Sequence, residues 1–303
     1  MDHPSFVIRP EEAESAAAKL GVSVLQLLPL LVDPAKPLAR PPISKFHVVA
    51  VGLGSSGRIF VGVNVEFPGL PLHHSIHAEQ FLVTNLTLNS ERHLRYVSVS
   101  AAPCGHCRQF LQEIRDAPEI RILITDPYAF RDAADEENDG DSDGFVRLES
   151  ILPHRFGPDN LLEKDIPLLL EPHDNRLTLS DPDIPNGGHT DSDTYSNLKR
   201  TALSAANRSY SPYSRCPSGV ALVDCEGKVY RGWYMESAAY NPSLGPVQAA
   251  LVDFVANGGD GGFDRIVGAV LVEKKDAVVR QEHTARMLLQ VIAPKCDFMV
   301  LHC

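Results

Sequence analysis

Two apolar runs, FHVVAVGL (46–53) and RIFVGVNVE (58–66), are joined by GSSG, and that pattern predicts a β-hairpin. Upstream, residues 10–32 predict two short helices: Pro10 with Glu11 and Glu12 opens the first, and Ser23 is placed to cap the second. DPAKPLARPP (33–42) then reads as a stiff, proline-rich connector. Downstream, HAEQFLVTNLTL (77–88) predicts a helix, LRYVSVSA (94–101) a strand, CGHCRQFLQEIR (104–115) a helix and IRILIT (120–125) a strand. A hairpin followed by helix, strand, helix and strand implies a mixed sheet covered by helices.

The pattern then returns. EPHDNRLTLSDPDIPNGGHTDSD (171–193) is polar and rich in Pro, Gly and Asp, as expected of a linker. Beyond it, SRCPSGVALVDCEGKVYRGWYME repeats SKFHVVAVGLGSSGRIFVGVNVE without a gap, carrying Ser44 onto Ser214, Gly57 onto Gly227, Gly62 onto Gly232 and Glu66 onto Glu236. A helical run, GPVQAALVDFVANG, follows the second copy as HAEQFLVTNLTL follows the first. An internal duplication is the reading. The expected organisation is an N-terminal helical segment (1–40), a first domain (41–170), a linker (171–193) and a second, related domain (194–303).

Composition narrows the function classes. The chain has 303 residues and a formal net charge of −11, which argues against wrapping nucleic acid. No apolar run reaches the length of a membrane span, and the start, MDHPSFVIRPEE, lacks the basic and apolar regions of a secretory signal. Six cysteines in a chain this long are too few for a disulfide scaffold, so a reducing cytoplasm is expected. Two apparent motifs fail. GLGSSG (52–57) matches a dinucleotide fingerprint, but the strand-like RIFVGVNV follows where a helix is required. DGDSDG (139–144) resembles a calcium loop, but Ser150 stands where the bidentate Glu belongs, so the acidic stretch 132–143 reads as a solvated loop.

Cys104 and Cys107 stand three apart behind Pro103, in a chain with no second Cys-x-x-Cys. Alone, the pair leaves three readings open: half of a structural zinc site, a redox couple, or two buried thiols. His77, at the start of a predicted helix, is placed to be a third ligand, and three protein ligands plus a water make the pattern of a catalytic zinc. Soft thiolates with an imidazole favour zinc over harder metals, and a helix N-terminus favours thiolates over thiols. Glu79 follows two residues after His77. Positions two apart on a regular helix diverge by roughly 200°, so the helix must begin at about His77 for both side chains to meet one water.

H-x-E followed by P-C-x-x-C is the signature of the zinc nucleobase deaminases. Beyond it, the chain resembles the homodimeric cytidine deaminases of nucleoside salvage over nearly its whole length, in FHVVAV, GVNVE, HAEQ, PCGHCRQFLQE and ESAAYNP. The resemblance implies a three-layer α/β/α fold, duplicated within the chain, and one zinc ion per chain held by His77, Cys104 and Cys107. It implies hydrolysis of cytidine and deoxycytidine to uridine and deoxyuridine. Glu79 would carry a proton from the zinc-bound water to N3 of the ring, the hydroxide would attack C4, and Glu79 would protonate the departing ammonia. Asn64 and Glu66 would bind the ribose hydroxyls and Phe46 would stack on the base. Phe156, Ala239 and Tyr240 would reach the pocket, across a subunit boundary. Without the resemblance, Asn64 and Glu66 are ordinary strand-end polar residues and Phe46 a core aromatic.

In the second copy, Gly245 falls at the position of the His, Val247 at that of the Glu, and Glu282 and Ala285 at those of the cysteines. That half cannot repeat the chemistry. The implied partners are a small nucleoside and a second copy of the chain, with neither membrane nor nucleic acid. Three alternatives remain in view. A deoxycytidylate deaminase needs a phosphate site, and Glu66 beside the sugar would repel a phosphate. A polynucleotide editor needs a basic channel, and this chain is acidic. A non-enzymatic, zinc-containing regulatory protein has no use for Glu79.

Overall fold

The computed structural model describes residues 5–126, 143–179, 192–258 and 261–303, so most of the acidic stretch and the second half of the expected linker lie outside the described residues. The chain divides into two compact units. The first comprises Met1–Leu161, Leu168–Leu170 and Ser237–Pro242; the second comprises Leu162–Pro167, Glu171–Glu236 and Ser243–Cys303. Residues 1–40 thus belong to the body of the first unit, and a short piece of the second repeat, 237–242, belongs there too.

The first unit runs β1 (Val7–Ile8), α1 (Pro10–Leu20), α2 (Val24–Ala35), β2 (Val49–Gly54), β3 (Ile59–Val63), α3 (Ala78–Leu88), β4 (Leu94–Val99), α4 (Gly105–Phe110), β5 (Arg121–Ile124), β6 (Val146–Arg147) and α5 (Leu148–Ile151). Its strands order as β1-β3-β2-β4-β5-β6. The β4–β5 pair is parallel and the others antiparallel, so the sheet is mixed as the element order implies. Every residue of β3 is buried, which requires cover on both faces, and α2 and α3 pack on this sheet. Ser23 caps α2 by accepting from the Gln26 amide at 3.1 Å. The helix runs through Pro29 and Pro34 to Ala35, past the point where a connector was expected. Burial of Leu27, Leu28, Leu31, Val32 and Ala35 carries it across the prolines, tertiary packing overriding local propensity. Conversely, α4 is shorter than its sequence suggests: after Phe110 it tightens into a 3-10 turn, Leu111–Glu113, and stops.

GLGSSG is the hairpin turn between β2 and β3. Buried Glu91 holds it, accepting from the hydroxyls of Ser55 and Ser56 and from Arg58.

The second unit runs α6 (Ser192–Asn207), β7 (Ser218–Asp224), β8 (Val229–Trp233), α7 (Pro246–Asn257), β9 (Ile266–Glu273), α8 (Glu282–Ile292) and β10 (Asp297–His302). Its sheet, β10-β9-β7-β8, repeats β5-β4-β2-β3 of the first unit, again with one parallel pair. Register repeats as well: Ala50 faces Gly62 as Val220 faces Gly232. So does hydrogen bonding. Glu66 accepts from the amides of Ile43 and Ser44 and from the Ser44 hydroxyl. Glu236 accepts from the amides of Tyr213 and Ser214 and from the Ser214 hydroxyl. Each of these residues is the 170-residue translate of its counterpart, and the duplication read along the chain is a duplication of structure.

Among the described residues, no single helix is long and apolar enough to cross a membrane.

Candidate metal centre

Two helix starts build the centre. His77 is the N-cap of α3, with extended backbone (φ −79°, ψ 155°), and Cys104 is the N-cap of α4 (φ −68°, ψ 167°). The helices therefore begin where the geometry demands: His77 points off the end of α3 while Glu79 lies within its first turn. Cys107 lies inside α4 and is buried; Cys104, at its mouth, is exposed.

The ligand atoms converge. His77 Nδ1 lies 3.5 Å from Cys104 Sγ and 3.4 Å from Cys107 Sγ, and all three atoms lie within 4.8 Å of one another. A tetrahedral zinc with ordinary Zn–N and Zn–S bonds has an N···S edge of about 3.6 Å. One imidazole nitrogen and two sulfurs at that spacing fit a single zinc ion and leave the fourth corner to a non-protein ligand. Cys104 accepts hydrogen bonds from Cys107 and from His77, which bring its pKa down to about 3. Cys107 is pushed up, first by that bond to Cys104 and then by burial. The bond to Cys104 also raises the His77 imidazole.

Glu79 is buried, and burial raises its carboxyl above the usual range. It accepts a hydrogen bond from the Cys107 thiol, which places the carboxylate at the edge of the ligand set. A carboxyl kept from water with an elevated pKa can both take and return a proton near neutral pH.

The other expected site residues stand as follows. Asn64 follows β3, with its amide engaged by the chain entering β2: Nδ2 donates to Phe46 O at 2.9 Å and Oδ1 accepts from Val48 N at 3.0 Å. Phe46 is not a core aromatic; its ring is 59% exposed. Burial would push the Glu66 carboxyl up, but the Ser44 hydroxyl and the Ser44 and Ile43 amides outweigh it and hold the group below the ordinary carboxylate range. Phe156 is 43% exposed, and its carbonyl accepts from Gln109 of α4. Ala239 and Tyr240 are exposed on the 237–242 turn, packed in the first unit of their own chain.

Several residues that sequence reasoning passed over hold these pieces together. Arg108 donates to Pro103 O and Ile151 O, both at 2.7 Å. Gln109 holds Phe156, Gln112 accepts from Arg155 at 3.4 Å, and Glu113 accepts from the Ala238 amide at 2.7 Å. The run RQFLQE after the second cysteine is thus a row of struts from α4 to the surrounding segments. Its signal was a cluster of long polar side chains on a short stretch that is otherwise buried.

In the second unit the corresponding helix α7 begins after Gly245, with Val247 at the position of Glu79. The N-cap of α8 is Gln281, one residue ahead of the Glu282 that sequence alignment placed opposite Cys104. In either register the residues at those positions are neither an imidazole nor a thiol.

A family described as the cytidine and deoxycytidylate deaminase zinc-binding region matches the chain twice, over residues 26–123 and 148–286. "Cytidine deaminase 1" of Arabidopsis thaliana is 75% identical over 303 residues, covering 100% of this chain and 99% of that one. "Cytidine deaminase 6" of the same plant is 58% identical over 304 residues, covering 98% and 97%. "Cytidine deaminase 7", also from that plant, is 54% identical over 314 residues, covering 100% and 95%.

Proposed function

The chain belongs to the zinc-dependent cytidine deaminase family, and on that premise we propose how its own residues divide the work of hydrolysing cytidine to uridine and ammonia, and deoxycytidine likewise. One observation carries the reading: a buried carboxyl, Glu79, stands against three ligand atoms spaced as three corners of a zinc tetrahedron. Zinc held by His77, Cys104 and Cys107 supplies Lewis acidity that lowers the pKa of a water. Glu79 takes the proton of the attacking water and delivers it to ring N3. It then takes the remaining proton of that water, now on the hydroxyl added at C4, and hands it to the amino group leaving C4, so water and cytidine become uridine and ammonia with no other reagent. Burial of Glu79 supports this role, because an exposed carboxyl would be too acidic to hold the proton between the two transfers.

We assign Phe46 to the base, Asn64 and Glu66 to the ribose hydroxyls, and Phe156, Ala239 and Tyr240, all exposed, to the surround of the pocket. The depressed pKa of Glu66 keeps it charged beside the ribose, which favours a nucleoside over a nucleotide. The family resemblance supports a homodimer, to be checked by light scattering. Six free cysteines support a cytoplasmic setting.

The test is Glu79→Gln in the full chain, measured by zinc content and by ammonia release from cytidine. Zinc should stay at the level of the unaltered protein while kcat falls about 10²- to 10⁴-fold. A Glu79→Gln protein that still deaminates cytidine at the original rate rules the assignment out.

A further inference from the structure

We propose that Glu113 and Gln80 are positioning residues that clamp the 237–242 turn onto the end of the cysteine helix and the start of α3, so that Ala239 and Tyr240 serve the pocket of their own chain. This rests on the assignment of those two residues to substrate binding.

The turn is pinned at both ends by buried groups. At its start, the Ala238 amide donates to Glu113 Oε1 at 2.7 Å; Glu113 is fully buried and lies in the 3-10 turn that ends the cysteine helix. At its end, Pro242 O accepts from Gln80 Nε2 at 3.0 Å; Gln80 is also buried and lies next to Glu79 in α3. The other atom of the same amide, Gln80 Oε1, accepts from the backbone N–H of His77 at 3.3 Å. One side chain therefore ties a metal-ligand residue to the turn. Between the pins the chain folds tightly, with Tyr240 N donating to Ser237 O at 2.9 Å and Asn241 N to Ala239 O at 2.7 Å.

Tyr240 adopts a left-handed backbone, φ +61°, yet is 68% exposed. A bulky residue is an outlier there, and such strain persists only where the surroundings over-determine it. The exposed ring does not supply that constraint; the buried pins at 238 and 242 do. Both pins are buried, so water does not compete for the Ala238 amide or for Pro242 O, and a bond left unmade there costs more than at the surface.

The experiment uses full-length, zinc-loaded enzyme and follows loss of cytidine absorbance. Glu113→Leu should raise KM roughly 10- to 100-fold, the equivalent of a buried hydrogen bond left unmade, with zinc content and kcat held within about threefold. Glu113→Gln keeps an acceptor for the Ala238 amide and should recover most of that loss. On a Tyr240→Ala background, Glu113→Leu should change KM several-fold less than on the unaltered background, because one of the two residues it positions is already gone. If Glu113→Leu does not fold, Gln80→Met takes its place with the same expectation for KM, read on zinc-saturated protein because Gln80 also holds the His77 amide. Co-expressing Glu79→Gln chains with Tyr240→Ala chains should restore no low-KM activity.

An unchanged KM in the zinc-bound Glu113→Leu protein, additive effects with Tyr240→Ala, or recovery of low-KM turnover in the mixed preparation would each overturn the clamp. An unaltered enzyme that leaves cytidine untouched would instead overturn the functional assignment beneath it.

Discussion

Gly62 offers a perturbation with a control built into the same chain. It sits on β3 where α3 crosses, and a methyl group added there would fall 2.2 Å from Ala78 O and 2.4 Å from Leu82 N, both backbone atoms of that helix. A real Cβ approaches such atoms no closer than about 3.0 Å, so Gly62→Ala must move helix and strand apart by about 0.8 Å. Ala78 is the residue between His77 and Glu79, so the displacement lands on a ligand and on the proton carrier together. Zinc coordination tolerates about 0.2 Å, and a misplacement near 1 Å costs about 10²-fold in rate. Gly232 is the duplicate position, and its added methyl would lie 2.0 Å from Ala250 N, an equal or larger clash with α7, which carries no ligand. Both substitutions should cost about 1–3 kcal/mol as overpacking, a fall of roughly 2–12 °C in Tm for units of this size. Only Gly62→Ala should also lose zinc and cytidine turnover, by about 10²-fold or more. Thermal melts, metal analysis and initial rates on the two purified proteins decide it. If Gly62→Ala keeps its metal and its rate, or if Gly232→Ala loses as much activity, the argument from helix placement fails.

Metal analysis should find one zinc per chain, and Cys107→Ser should hold less than about a tenth of that, since loss of a buried thiolate removes one of three protein ligands. Chelation should abolish ammonia release and added zinc restore it. Cytidine monophosphate should turn over with a kcat/KM at least about tenfold below that of cytidine, if the sugar takes the place proposed for it beside the Glu66 carboxylate, whose pKa is lowered. Acid stability should depend on Glu91: burial pushes its carboxyl up, but hydrogen bonds from Ser56 and Ser55 and the Arg58 guanidinium more than reverse this, so its folded pKa lies below the unfolded value. Its contribution is present above about pH 4.3 and fades as pH falls through the lower folded value. Urea midpoints measured at about pH 5 and pH 3 should therefore drop further for the unaltered protein than for Glu91→Gln, and equal drops would contradict the assignment.

The sequence showed what period and spacing encode. Hairpins, strand–helix alternation and the 170-residue translation from Ser44 to Ser214 are local or repetitive signals, and the sheets follow them. The metal residues were legible because His77, Glu79, Cys104 and Cys107 have chemistry that few other arrangements would use, and even the requirement that α3 start at His77 followed from helix geometry. What long-range packing decides was not visible. Nothing in DPAKPLARPP reveals that buried leucines carry α2 past Pro34. Nothing near Ser237 reveals that the turn after it docks on Glu113, more than a hundred residues earlier in the chain. The strand Val7–Ile8 is two residues long, too short for any periodicity, and exists because the edge of β3 pairs with it.

The matching hydrogen bonds of Glu66 and Glu236 bear on how relatives of this chain should be sorted. The same acidic side chain closes the same loop in a half that bears the metal ligands and in a half that lacks them. Its presence in a newly sequenced homologue therefore certifies architecture and says nothing about turnover. The diagnostic letters lie at the entrances of two helices, where exchange of the ligands and the carboxyl leaves the scaffold standing.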